Sequence, residues 1–164
     1  LNKDISNYGP SLVLGGGEVT PLEMAHAYSV FANNGLKVPL SPILKIEDSK
    51  GNVVFEKKSN PIRVLDSEVA NLITDILSDN EARSPMFGPR SHLYFEKYRV
   101  AAKTGTTDNF KDCWTVGYTP EISVSVWVGN NNNAPMIKKQ PAATVAGPIF
   151  HSFLERVLPK ISLP

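Results

Sequence analysis

Apolar residues recur at helical spacing in two segments of the first half of the chain. Leu22, Ala25, Tyr28, Phe31 and Ala32 fall on or near one face, and Val69, Leu72, Ile73, Ile76 and Leu77 do the same further on. Each stripe predicts an amphipathic helix packed on a core. The first helix has a start signal in Thr20-Pro21-Leu22-Glu23, a capping box with proline in the first turn, and a stop signal in Asn33-Asn34-Gly35. Asp66 is the expected cap of the second, which runs to about Ser78. Between them, Ile43 to Glu47 and Val53 to Glu56 flank Asp48-Ser49-Lys50-Gly51-Asn52 and predict a satellite surface hairpin.

Residues 79–95 contain Pro85, Gly88 and Pro89 and no sustained period, so they read as a long loop. From Tyr98 the period becomes that of strands. Arg99 to Lys103, Cys113 to Tyr118 and Ile122 to Val128 are joined by short polar turns and predict an antiparallel meander. In the last of these, Ile122, Val124, Val126 and Val128 share one face while Ser123, Ser125 and Trp127 share the other. Pro148 reads as the start of a final helix with a stripe of Ile149, Phe150, Phe153, Leu154, Val157 and Leu158, ended by Pro159. The pattern is α+β: an antiparallel sheet flanked by helices, with a small satellite hairpin, in one domain over residues 1–164.

Composition narrows the functions. Apolar residues make up 41% of the 164, enough for a core, while a formal net charge of +1 gives no broad attraction to nucleic acid or anionic lipid. One cysteine, Cys113, cannot form an internal disulfide, and His26, His92 and His151 lack ligand spacing, so neither a metal nor a cofactor is expected. No stretch reaches the roughly 20 apolar residues of a membrane helix. The opening at Leu1, without Met or a leader pattern, reads as a portion of something longer.

Chemistry is therefore sought locally, at Lys103-Thr104-Gly105-Thr106-Thr107. A cation, hydroxyls and close backbone access at a strand end suit a small carboxylate or phosphate, and an ordinary strand terminus is the bland alternative. A phosphate loop is disfavoured, because Gly105 follows Lys103 and no lysine follows Gly15-Gly16-Gly17 at the required spacing.

Lys-Thr-Gly belongs with S-x-x-K and S-D-N in β-lactamases and penicillin-binding proteins. The flanks are more specific: Gly17 to Ala25, Tyr28 with Phe31 to Gly35, Asp112 with Trp114, Gly117-Tyr118-Thr119-Pro120 and Val126-Trp127-Val128-Gly129-Asn130. From about Ser11 to Phe153 the chain resembles the transpeptidase domain of bifunctional class A penicillin-binding proteins, and Ile76 to Gly88 resembles the penicillin-binding protein 1C branch. The resemblance implies the C-terminal portion of a β-lactamase/transpeptidase-like fold and a serine acyltransferase that cross-links peptidoglycan stem peptides. It implies β-lactams as further ligands, and a site on the extracytoplasmic face of the bacterial membrane, with anchoring in the parent protein. Lys103 would supply charge and help set the proton network, and Thr104 and Thr106 would hold the terminal carboxylate. Gly105 would admit close approach, the Thr106 N-H would form half of the oxyanion hole, and Thr107 would border the cleft.

The partners of this motif are missing. No serine stands three residues before a lysine, so the nucleophile and its base are expected in an upstream segment, and this chain alone is expected to be inactive. Ser78-Asp79-Asn80 spells S-D-N but sits at a helix end, where such residues satisfy backbone groups, and is read as a decoy. Glu81, Arg83 and Arg90 are candidates for the cleft rim, Trp114, Tyr118 and Trp127 for sheet packing, and Cys113 for a buried inert thiol. The competing readings are a noncatalytic binding or structural module on the same fold, and a β-lactamase.

Overall fold

The computed structural model describes residues 8–161 apart from 138, so Leu1 lies outside the described residues. Its centre is a three-stranded antiparallel meander of β5 (Ala101–Thr106), β6 (Asp112–Tyr118) and β7 (Ser123–Gly129), in that spatial order. Register pairs Lys103 with Val116, Gly105 with Trp114 and Thr106 with Cys113, then Trp114 with Trp127 and Tyr118 with Ser123. Because side chains alternate along a strand, this sorts residues onto two faces. One face carries Ala101, Lys103, Gly105, Trp114, Val116, Tyr118, Ser123 and Trp127. The other carries Ala102, Thr104, Thr106, Cys113, Thr115, Val124 and Val126.

The second face meets α4 (Ala142–Ile161). Phe150, Leu154 and Leu158, all 0% exposed, pack there with Leu93, Phe95, Val100 and Ala102, and with Val124 and Val126 at the margin. The first face meets α1 (Pro21–Ala32) and α2 (Ser67–Ser78). Tyr118 lies edge-on to Tyr28 and stacked on Phe31, with centroids 6.2 and 6.1 Å away. Its hydroxyl is 2.8 Å from Thr74 Oγ1, and Ser123 Oγ donates to the Ala25 carbonyl at 2.7 Å. The split of Ile122 to Val128 between two faces is therefore real, with α4 on the valine side and α1 on the serine side.

The expected capping box closes α1: Thr20 Oγ1 accepts the Glu23 N-H at 3.2 Å, and Glu23 Oε2 accepts the Thr20 N-H at 2.8 Å. The bond from the Thr20 N-H, with a second from the Thr20 hydroxyl to Glu23 Oε2 at 2.9 Å, holds the Glu23 carboxyl below its ordinary value. At the far end Gly35 takes φ 87°, and a Cβ there would lie 1.9 Å from the Leu65 carbonyl oxygen. The chain then adds a two-stranded ribbon, β1 (Leu36–Lys37) with β4 (Ile62–Arg63), which the sequence reading lacked. The satellite hairpin forms as expected from β2 (Lys45–Glu47) and β3 (Val53–Glu56), with Asp48 accepting from the Lys50 and Asn52 N-H groups in its turn.

Three expectations need correction. The region 79–95 is not all loop: α3 spans Asn80–Phe87, because Asp79 accepts the Ala82 N-H at 2.9 Å as an N-cap and Pro85, well inside the helix, removes only the bond to the Glu81 carbonyl. The last helix begins at Ala142, six residues before Pro148, where Gly147 has no Cβ to oppose helical backbone ahead of a proline, and it is not ended by Pro159 but continues to Ile161. Ile149 and Phe153 are accordingly exposed, and Ala142, Ala146 and Gly147 are buried in their stead. Finally, α2 approaches the sheet through Ala70, Ile73, Thr74 and Leu77, which leaves Val69, Leu72 and Ile76 exposed; Leu22 on α1 is exposed too.

Sheet and α4 approach closely at Gly117, where a Cβ would stand 2.5 Å from the Ala101 oxygen and 2.6 Å from the Phe150 ring. Gly117→Ala is expected to lower stability by about 1–3 kcal/mol through overpacking. Urea unfolding of the two proteins measures this, and equal midpoints would contradict the packing described.

Candidate functional site

The motif Lys103-Thr104-Gly105-Thr106 occupies the outer half of β5, which pairs with β6 on one side; among the described residues no strand pairs with its other edge. Which backbone groups face that edge follows from the turn beyond it. The Thr107 N-H donates to the Asp112 carbonyl at 3.2 Å, so residues 107 and 112 form a hydrogen-bonded pair. Alternation along an antiparallel ladder then turns the N-H and C=O groups of Thr104 and Thr106 away from β6, onto the open edge.

The side chains divide between the two sheet faces. Lys103 and Gly105 lie on the α1/α2 side and are exposed. Lys103 Nζ donates to the Thr104 carbonyl at 2.6 Å, which holds the ammonium beside its own strand. A Cβ on Gly105 would meet nothing closer than Trp114 Cβ at 3.7 Å, an ordinary contact, so neither packing nor a positive φ demands glycine there. Thr104 and Thr106 lie on the α4 side. Thr106 Oγ1 accepts the N-H of Ala142 at 3.0 Å and keeps its own proton to donate.

Thr107 is engaged locally: its hydroxyl accepts the Asp112 N-H at 2.9 Å and faces the Asp112 carbonyl at 3.3 Å. The turn it closes holds Asn109 and Phe110 at φ 59° and 54°, a left-handed conformation uncommon for an aromatic residue. The edge can thus present a cation, two hydroxyls and outward backbone donors to an extended acidic ligand, the geometry of strand addition. Among the described residues no group of three or more metal-ligating side chains exists, and no helix is long and apolar enough to cross a membrane.

Other candidates separate from this edge. Ser78 Oγ accepts from Arg99 Nε at 3.0 Å and Arg99 also pairs with Asp75, so Ser78-Asp79-Asn80 serves the junction of α2 and α3, as a helix terminus should. Arg83 donates to the Leu77 and Asp79 carbonyls at 2.7 and 3.1 Å, capping α2; Glu81 and Arg90 are exposed. His151 stacks on Phe95 at 4.6 Å. What sequence reasoning missed is the approach of Ala142 to Thr106 across 36 positions, for which Pro141, a helix-start residue, was the available signal.

Comparison with known proteins agrees with this architecture. The family model described as the penicillin binding protein transpeptidase domain matches residues 2–155. Penicillin-binding protein 1A of Clostridium botulinum is 36% identical over 135 residues, 81% of this chain and 16% of that protein. Penicillin-binding protein 1B of Vibrio cholerae is 30% identical over 165 residues, 100% of this chain and 21% of that protein. Among solved structures, the PonA1 protein of Mycobacterium tuberculosis in complex with penicillin V superposes with a TM-score of 0.79 at 27% identity, over 94% of this chain and 42% of that one. The fold is that of a penicillin-binding transpeptidase scaffold. This chain belongs to the penicillin-binding protein transpeptidase domain family, and it spans about one fifth of the length of these curated relatives.

Cys113, opposite Thr106, is 0% exposed, and burial pushes its thiol above the ordinary value; a hydrogen bond from Thr106 opposes this and the Asp112 charge adds to it. The neutral thiol is thus favoured in the folded state. Alkylation of Cys113 near pH 8.5, the ordinary cysteine pKa of about 8.5, is expected to be slow in the folded protein and fast after denaturation. Equal rates, followed by mass spectrometry of its peptide, would contradict the burial.

Proposed function

We propose that the protein carrying this chain is a peptidoglycan D,D-transpeptidase, and that β5 is the wall of its site that binds the acyl donor. Its substrates are stem peptides, β-lactams acylate the same site, and it works at the extracytoplasmic face of the membrane. The 164 residues form the C-terminal portion of the transpeptidase domain. The serine nucleophile and its lysine base come from an upstream segment, since no S-x-x-K occurs here.

The observation that carries this reading is the open edge of β5 with a glycine that the protein's own packing does not require. A side chain at Gly105 would project from the strand beside which a ligand lies. The outward Thr106 N-H is fixed by the ladder before any ligand arrives. Negative charge collects on the attacked carbonyl oxygen only in the tetrahedral intermediate, so such a donor lowers the barrier to acylation; loss of one typically costs about 3 kcal/mol. Thr104 and Thr106 hydroxyls hold the carboxylate that ends the stem peptide or decorates the β-lactam. Lys103 adds positive charge on the face shared with α1 and α2 and takes part in the proton network around the serine. The penicillin V complex of the PonA1 relative supports a β-lactam ligand for this fold.

Two substitutions in the full-length protein test the reading with labelled penicillin. Gly105→Ala is expected to leave the melting temperature unchanged and to slow acylation about tenfold, ~1.4 kcal/mol in the barrier. Lys103→Ala is expected to slow acylation further without unfolding. Wild-type acylation rates in both variants would refute the assignment of β5.

A further inference from the structure

The N-terminus of α4 reaches the candidate site through a bond from the Ala142 N-H to Thr106 Oγ1 at 3.0 Å. N-H groups in the first turn of a helix have no intrahelical acceptor. Ala142 is 1% exposed, so water does not supply one, and Thr106 does. A threonine hydroxyl has one proton to give and lone pairs to receive. With Ala142 bonded to a lone pair, the Thr106 proton has two directions left. One leads to Cys113 Sγ, opposite in register and a weak acceptor, whose own S-H faces the Gln140 carbonyl at 3.5 Å. The other leads to the exposed edge. A carboxylate there is by far the stronger acceptor, and the positive end of the α4 dipole behind the hydroxyl makes it a better donor.

The segment that delivers Ala142 is fastened to the β5–β6 turn. Met136 N-H donates to the carbonyl of Phe110 at 3.0 Å, and Gln140 is held by Cys113. Asn109 and Phe110 accept a left-handed backbone in that turn, which brings the Phe110 carbonyl to Met136. Those two bonds, at Met136 and Gln140, brace the approach to Ala142.

We propose that the backbone N-H of Ala142 is a positioning group for Thr106: it directs the Thr106 hydroxyl as a donor to the carboxylate of the bound stem peptide or β-lactam. The inference rests on β5 being the ligand-bearing edge, as proposed above. The start of α4, held through Met136 and Gln140, thereby acts on ligand recognition without touching the ligand.

The test uses the full-length protein and compares the acylation rate of a penicillin with that of its methyl ester, which lacks the anionic acceptor. Thr106→Val removes the hydroxyl at nearly constant shape, and Thr106→Ser restores it. Ala142→Pro removes the N-H at the first helical position, where proline is favoured. Because a proline ring adds atoms at a buried position, a second variant with lactate in place of Ala142 deletes the N-H and adds none. Thr106→Val should lower the acid-to-ester rate ratio about tenfold, and Thr106→Ser should keep it. Either change at Ala142 should lower the ratio several-fold and add nothing further in the Thr106→Val background. The ratio is insensitive to the folded fraction, since both compounds sample the same population. If Thr106→Val lowers the ratio and the lactate variant leaves it at the wild-type value, the positioning role is overturned. If Thr106→Val itself leaves the ratio unchanged, the assignment of Thr106 to the carboxylate fails first.

Discussion

β6 is paired on both edges, and its register decides where every residue of the site points. A shift of one position against β5 would carry Lys103 and Gly105 to the α4 side and turn the Thr106 N-H inward, onto β6. The register is held by side chains that fit only one way. Tyr118 must reach Tyr28, Phe31 and Thr74, while Gly117, next to it, must lie under the Phe150 ring with no Cβ between them. The helices on the two faces thus constrain the strand in opposite senses, and the motif on β5 inherits the result.

Function in this chain is local. A net charge of +1 offers no field to gather an acidic ligand, so in the proposed function recognition falls to one lysine, two hydroxyls and the outward backbone of a strand edge. Membership in the penicillin-binding transpeptidase family gives that edge its context. The exposed Val69, Leu72 and Ile76 on α2 and Leu22 on α1 belong to the same α1/α2 layer that borders Lys103.

Where a residue's role depends on its neighbours in sequence, the sequence showed it: the Thr20–Glu23 capping box, the left-handed Gly35 and the meander turns are all local chemistry. The false S-D-N at Ser78 was legible for the same reason, since capping residues cluster at helix ends. Features that depend on distant partners were not legible. Pro85 and Pro148 look like breaks until the Asp79 cap and the tolerance of Gly147 are seen. The α2 stripe looked uniformly buried because a period reports which residues are apolar and not which of them meets the sheet. For the motif, its place on a strand end was legible, whereas the bond from Ala142 required the fold.

The central claim is that an acyl ligand lies along the open edge of β5. Hydrogen–deuterium exchange of the full-length protein, with and without bound penicillin, tests it directly. The account expects slower exchange at the amides of Thr104 and Thr106 in the acylated protein, with β7 unchanged. Acylation that leaves residues 103–107 exchanging at the free-protein rate would contradict it.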